Sequence, residues 1–296
     1  MSEFDEFSLL GENASEIGRA GPLPAVTRRS VPLVDGRTLS VLQWGSTSPE
    51  LVLLHGGAQN AHTWDSVVLA LDLPLIAVDL PGHGRSSWRD DGAYAPASMA
   101  DDVAMAVTEL APQAAVVVGM SLGGLTAIAL AARHPSLVRR LLLVDITPGV
   151  DREKAAAVVN FVSGPPTFPS FDALLERTVA HNPTRSEASL RRGLLHNAEE
   201  LPDGSWAWRH HLGRGGVQSP DPARYHSLWD DLGAVSVPVT LVRGGASPVV
   251  DDADVAELGR RLPHAEVVVV PGAGHSIQGD KPVELAELIQ GFVARA

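Results

Sequence analysis

The group in this chain best placed to do chemistry is a serine framed by small residues. A β-branched run, Val116-Val117-Val118, breaks into Gly119-Met120-Ser121-Leu122-Gly123-Gly124 and continues as the helix-forming stretch 125–132. The glycines two before and two after Ser121 lack a Cβ, so the backbone can turn sharply and lift the hydroxyl above the end of a strand. G-x-S-x-G alone is a common pattern; the strand before it and the helix after it make it a nucleophile elbow. A serine hydroxyl attacks a carbonyl only when a base takes its proton, so Ser121 needs an imidazole within hydrogen-bond reach. The tetrahedral oxyanion that follows needs fixed donors, and the charged imidazole needs a carboxylate.

The elements that must position these groups alternate along the chain. Residues 27–33, the turn pair Asp35-Gly36 and residues 37–44 have the pattern of a β-hairpin. Apolar runs at 51–54, 75–78, 114–118 and 141–144 read as strands buried on both faces. Helices are expected at 63–71, at 98–110 with Ser98 as its cap, and at 122–134, ended by Pro135. After Asp145 the alternation stops. Residues 147–232 contain helical stretches at 171–180 and 187–197 without an obvious core strand, and are expected to form an inserted helical cap. Strands return at 237–242 and 266–270, with helices at 252–262 and 282–294. The class is α/β. Residues 1–24, acidic and punctuated by Gly and Pro, are expected to form a loosely held arm able to cover the sheet edge, leaving the core to 25–146 and 233–296.

Four motifs taken together, in this order, resemble the α/β-hydrolase family. They are His55-Gly56-Gly57 after one strand, the run from Asp79 through Leu80-Pro81-Gly82-His83-Gly84-Arg85 to Ser86 after the next, the Ser121 elbow, and Gly272-Ala273-Gly274-His275 after the last. The match covers about residues 30–146 and 233–294. The resemblance implies a mostly parallel eight-stranded sheet flanked by helices, with catalytic groups on loops at the carboxyl ends of the strands. It also implies His275 as the base, serine first and histidine last. Leu122 N–H, at the start of the helix after the elbow, is the expected first oxyanion donor; Gly57 N–H is the second, with Ala58 as the alternative. His55 and His83 read as braces for their loops.

The acid departs from the commoner family pattern. Past the strand at 237–242 the chain reads Arg243-Gly244-Gly245-Ala246-Ser247-Pro248, so Ser247 and Pro248 stand where the carboxylate of many relatives falls. Asp145 follows the neighbouring strand, and some members of the family, including certain dehalogenases and cofactor-free dioxygenases, take their acid from that strand end. Strands lie ~5 Å apart, a displacement that side-chain length and loop shape can absorb. Asp251 or Asp252 is the alternative, although either could cap the helix that follows; a site with no carboxylate in direct contact is a third arrangement.

The expected activity is hydrolysis of a small or medium carboxylic ester or lactone through an acyl-enzyme on Ser121. The Gly-Met-Ser-Leu-Gly-Gly form resembles that of enol-lactonases and acyl-ester hydrolases. Carbon–carbon cleavage, lyase, perhydrolase or cofactor-free oxygenase chemistry on the same site is a second reading, and a ligand-binding sensor a third. Within the expected cap, Phe161, Phe168, Trp206 and Trp208 are the large apolar groups that could wall a substrate or pack on one another. A net charge of −12 with 23 Lys+Arg argues against nucleic acid or an anionic membrane as partner. No cofactor is expected: H-E-x-x-H, phosphate-loop and dinucleotide patterns are missing, and there is no cysteine. The start lacks a basic and apolar leader and no apolar run reaches the ~18 residues of a span, so a cytoplasmic protein is expected.

Overall fold

Apolar runs of four or five residues have no face to offer water, so they must be covered on both sides. In the computed structural model, which describes residues 4–182, 185–212, 214 and 222–295, such runs form the middle of a sheet. The strands are β1 (Val26–Pro32), β2 (Thr38–Trp44), β3 (Leu51–Leu54), β4 (Leu75–Val78), β5 (Val116–Met120), β6 (Leu141–Val144), β7 (Thr167–Phe168), β8 (Ala198–Glu200), β9 (Trp206–Trp208), β10 (Val239–Gly244) and β11 (Glu266–Val270). Eight of them lie in the order β1-β2-β4-β3-β5-β6-β10-β11. Only β2 runs against its neighbours; β4 through β11 are parallel. At the centre, Val118 is in register with Leu53 on one side and Leu142 on the other.

Alternate residues of each strand enter two separate apolar layers. On one face Val117, Leu143 and Leu241 pack with Val103 and Val107 of the helix Pro96–Leu110, Leu125 and Ile128 of Leu122–Arg133, and Leu258 of Asp252–Arg261. On the other, Val118, Leu142 and Val242 meet Val68 of Asp65–Leu71, and Leu285 and Ile289 of Pro282–Val293. Each such side chain contributes roughly 1.5–3 kcal/mol of burial. Among the described residues no helix is long and apolar enough to cross a membrane.

Several local expectations are corrected. Pro96, at the first helical position, starts its helix two residues before Ser98, which makes no cap; the fixed φ of proline suits that place. Residues 6–19 are not loosely held. Leu10 and Ala14, one helical turn apart on Leu10–Glu16, are buried against the layer around Asp65–Leu71 rather than on a sheet edge. Residues 1–3 of that expected arm, 183–184, 213 and 215–221 of the expected cap, and 296 lie outside the described residues.

Between β6 and β10 the chain leaves the sheet. The helices Ala156–Val162, Phe171–His181 and Glu187–Asn197 are joined there by a small antiparallel sheet, β7-β9-β8, so the segment is not purely helical. Strands of two or three residues are too short to show alternation. Leu174, Leu190, Leu194 and Trp208 give this segment its own apolar cluster. The helix Leu228–Gly233, by contrast, buries Leu228, Trp229 and Leu232 in the layer of the main sheet, so an expected boundary at 232 falls inside a core helix.

A buried ionic network ties residue 6 to the core. Glu6 accepts from Arg28, whose Nη1 also reaches Asp79 at 2.8 Å, and His62 lies between Glu6 at 3.2 Å and Asp65 at 2.9 Å. Burial opposes charge on His62, but the carboxylates of Asp65 and Glu6 outweigh it and raise its pKa from 6.5 to about 9. A raised folded-state pKa gives stability that is complete below the unfolded value and is lost as pH rises through the folded one. The unfolding free energy should therefore fall between pH 6.5 and about 9, by up to about 1.4 kcal/mol per pH unit. In His62→Gln that component should vanish. Urea titrations of both proteins across this window measure it, and parallel curves would remove His62 as the cause.

Candidate active site

The elbow is built by backbone close approach. A Cβ on Gly119 would sit 2.4 Å from Gly123 O, and one on Gly123 would sit 2.3 Å from Leu54 O, so any side chain at either place would push the turn apart. Ser121 itself has φ 50° and ψ −119°, with the helix Leu122–Arg133 starting immediately after it. Four non-glycine residues have positive φ among the described residues: Ala58, Asp72, Ser121 and Asp145. Asp72 closes a helix. The other three stand where the sequence points to an oxyanion loop, a nucleophile and an acid, and backbone strain of this kind gathers at functional sites.

Asp145 is fully buried at the end of β6. Its Oδ1 accepts from Gly244 N–H at 2.8 Å, and its Oδ2 accepts from His275 Nδ1 at 2.8 Å and from the Ser247 hydroxyl. β6 and β10 are adjacent and parallel, with Val144 beside Val242, so a side chain rising from residue 145 comes directly beside the loop after β10. Ser247 thus stands in the commoner acid position as a donor to the carboxylate one strand over. Asp251 and Asp252 are engaged elsewhere. Asp251 accepts from Asp254 N–H at 2.9 Å in a reciprocal cap of the helix Asp252–Arg261, and Asp252 is exposed beside Arg243.

Ser121 and His275 line two cavities together. One is a niche of about 100 Å³ walled by Leu125, Ile146, Val158, Val162, Leu212 and Val249. The other, about 310 Å³, is more polar and includes Gln59, Asn182, Arg185, Ser189, Asn197 and Asp280. With Nδ1 held by Asp145, Nε2 is the ring nitrogen of His275 left for the serine. Ser121 Oγ has no hydrogen-bond partner among the described residues, as is common before a substrate aligns the pair. Leu122 N–H opens its helix and has no intrahelical acceptor. Gly57 borders both cavities, and a Cβ added to it would lie 3.8 Å from the Leu122 side chain, while the Gln59 side chain accepts from Gly56 N–H at 3.1 Å and fixes that loop.

His55 and His83 are fully buried braces. Leu80 N–H donates to His55 Nε2 at 2.9 Å, and His83 Nδ1 meets Pro81 O at 3.0 Å; burial pushes both pKa values down, so both rings are neutral. Phe161 and Trp208 line the larger cavity, but Phe168 and Trp206 do not. Phe168 packs edge-on to Trp208 at 5.7 Å and Trp206 edge-on to Phe171 at 4.8 Å. Ser247, Gln59 and Arg185 are site-facing residues that sequence reasoning missed as contributors; only Ser247, in an acid's usual place, left a signal. The adjacent His210 and His211 turn apart: His210 borders the larger cavity, whereas His211 stacks on Trp88 and meets Tyr94 Oη at 2.7 Å. One group of metal-ligand type occurs among the described residues, His62, Asp65 and His196, within 4.8 Å of one another. Arg28 Nη2 lies 3.3 Å from His62 Nε2, and that cation together with the proton on His62 opposes a metal there.

Comparison with known proteins agrees with this geometry. A family model described as alpha/beta hydrolase fold matches residues 49–282. Esterase Rv0045c of Mycobacterium tuberculosis is 47% identical over 300 residues, covering 99% of this chain and 97% of that protein. Its crystal structure superposes with a TM-score of 0.86 at 46% identity, covering 99% of each chain. 2-(Acetamidomethylene)succinate hydrolase of Mesorhizobium japonicum is 30% identical over 86% of this chain and 91% of its own length. A structure of E-2-(acetamidomethylene)succinate hydrolase gives a TM-score of 0.81 at 28% identity, covering 91% of this chain and all of that one. With the strand order, the elbow and these matches in agreement, the chain belongs to the α/β-hydrolase fold family.

Proposed function

We propose that the protein is a serine hydrolase of a carboxylic ester or lactone, with Ser121 as nucleophile, His275 as general base and Asp145 as the acid. The observation that carries this reading is the hydrogen bond from His275 Nδ1 to the buried Asp145 carboxylate, His275 and the elbow serine lining the same cavity. The likeness to an esterase over nearly the whole chain supports it.

As Ser121 Oγ attacks the carbonyl carbon, His275 Nε2 takes its proton and Asp145 stabilises the imidazolium. The oxyanion accepts from Leu122 N–H and Gly57 N–H, donors typically worth ~3–4 kcal/mol each in the transition state. Collapse breaks the ester C–O bond, and His275 returns the proton to the leaving alkoxide. Water, deprotonated by His275, then attacks the acyl carbon, and Ser121 leaves with the proton. In a lactone the alkoxide stays attached to the acyl group. The excursion between β6 and the core helix Leu228–Gly233 acts as the cap, with Phe161 and Trp208 walling the substrate.

Ser121→Ala should fold and lose both ester turnover and labelling by a fluorophosphonate, and His275→Ala should be nearly as severe; full turnover by folded Ser121→Ala would sink the covalent mechanism. Asp145→Asn should lower kcat at least roughly a hundredfold, against about 10⁴ for the same loss in a well-studied serine protease. Asp251→Asn and Asp252→Asn should change kcat only about a few-fold, since both serve the helix cap or the surface. Activity retained in Asp145→Asn and lost in Asp251→Asn would transfer the acid role. For the cap, Trp208→Ala should alter the ranking of esters of differing acyl length, whereas Trp206→Ala should lower Tm and leave that ranking alone. Equal rankings in both variants would make Trp208 packing alone.

A further inference from the structure

The wall of the larger cavity carries a cation, Arg185, that forms no ion pair among the described residues. Arg185 precedes the helix Glu187–Asn197 and borders both the Ser121 cavity and a neighbouring polar one of about 430 Å³. Its Nη2 donates to Ser189 Oγ at 2.9 Å, while its Nε is buried without a partner among the described residues. Asp280 is the carboxylate that acts on it, but from beyond ion-pair distance, and Asp280 Oδ2 already accepts from Gly274 N–H at 2.8 Å. Burial pushes the guanidinium's pKa down, with Asp280 acting the other way; an arginine still stays charged at neutral pH.

Two local features hold the cation in this exposed electrostatic state. Gly279 lies under the guanidinium, where a Cβ would come within 2.8 Å of Cζ, so the glycine permits the group to lie flat against the cavity floor. At the start of the helix Glu187–Asn197, Ser186 Oγ accepts from Ser189 N–H at 3.2 Å, which fixes the residue whose hydroxyl Arg185 meets and offers the cation a neutral acceptor rather than a counter-charge. A buried charge without a partner is costly to a fold. In a substrate cavity, the missing anion is one that the ligand brings.

We propose that Arg185 binds a free carboxylate on the substrate, so that the ester cleaved at Ser121 is a half-ester of a dicarboxylic acid. The acid end lies in the polar cavity against Arg185 and Ser189, and the small uncharged end lies in the apolar niche. This rests on the hydrolase reading and adds the charge of the substrate to it.

The test compares monomethyl esters of dicarboxylic acids, from succinate to suberate, with uncharged methyl alkanoates of matched length. At the best length the wild-type kcat/KM should favour the half-ester by at least about tenfold, the range of a charge-assisted hydrogen bond in a shielded site. In Arg185→Gln the ratio should collapse towards one, chiefly through KM of the half-ester. Arg185→Lys, which keeps the charge without the planar fork, should retain part of it and serves if Arg185→Gln does not fold. A wild-type ratio of one or less at every length, or a ratio unchanged in both variants, overturns the proposal. Calorimetric titration with glutarate, adipate and suberate reads the same site without turnover: binding lost in Arg185→Gln supports it, and equal binding or none in wild type overturns it. If no ester is turned over and Ser121 resists the fluorophosphonate, the hydrolase reading fails separately, and the titration still decides Arg185.

Discussion

A fully buried carboxylate, that of Asp145, ties the carboxyl ends of the strands together. Removing the charge of Asp145 from water costs several kcal/mol unless donors replace the lost hydration, and here the donors come from three separate pieces of chain. Gly244 ends β10, Ser247 lies in the loop beyond it, and His275 lies in the loop after β11. Each of those loops is therefore fixed relative to β6 by the same atom pair. The imidazole is in turn held in one orientation by a group that cannot move without stranding its own charge. The strain at Asp145, with φ 49°, is the local cost of aiming the carboxylate across the strand ends.

Much of this was legible because it is local. The elbow is contiguous, and its glycines answer to contacts made within a few residues or with the neighbouring strand β3. The buried strands announce themselves as apolar runs, and the helix at Glu187–Asn197 begins and ends where its cap and periodicity indicate. The proposed acid was legible only as a choice, because it depends on which strands are neighbours, and strand order is not written in any one strand. Ser247 shows the limit: a serine in an acid's place reads as a loss until β6 is known to lie beside β10. Pro96 took the helix start from Ser98 because a fixed φ at the first turn outweighs a side-chain cap two residues on. Arg185 sits in a polar stretch where arginines are ordinary, and only burial without an ion pair distinguishes it.

The two environments around Ser121 divide the work of the molecule. In the proposed mechanism the core supplies the nucleophile, base, acid and oxyanion donors, from strand ends whose positions are fixed by two apolar layers. The excursion between β6 and β10 supplies most of what distinguishes one side of the serine from the other. Its Val158 and Val162 border the apolar niche, and its Arg185, Ser189 and Asn197 border the polar cavity. A reaction centre of one design can thus serve different esters through changes confined to that segment.

How firmly that segment is held follows from the kind of contact that joins it to the rest. Its internal cluster around Leu174 and Trp208 is separate from both layers of the main sheet. Across its junction with the core and the N-terminal helix, polar contacts are prominent: Arg192 with Asn13 Oδ1 at 2.7 Å and with Glu16, Ser186 with Glu16, and Asn60 with Asn197. Apolar burial scales with area and is lost only on large separation, whereas partly exposed ion pairs contribute little and exchange readily with water. The segment is thus joined to the core in two ways, by apolar burial where Val150, Ala155, Val162 and Leu212 enter one layer of the main sheet, and by polar contacts on the side of Glu187–Asn197. The Asp145 carboxylate takes all of its donors, Gly244, Ser247 and His275, from outside that segment, so its place at the strand ends is set by the core alone.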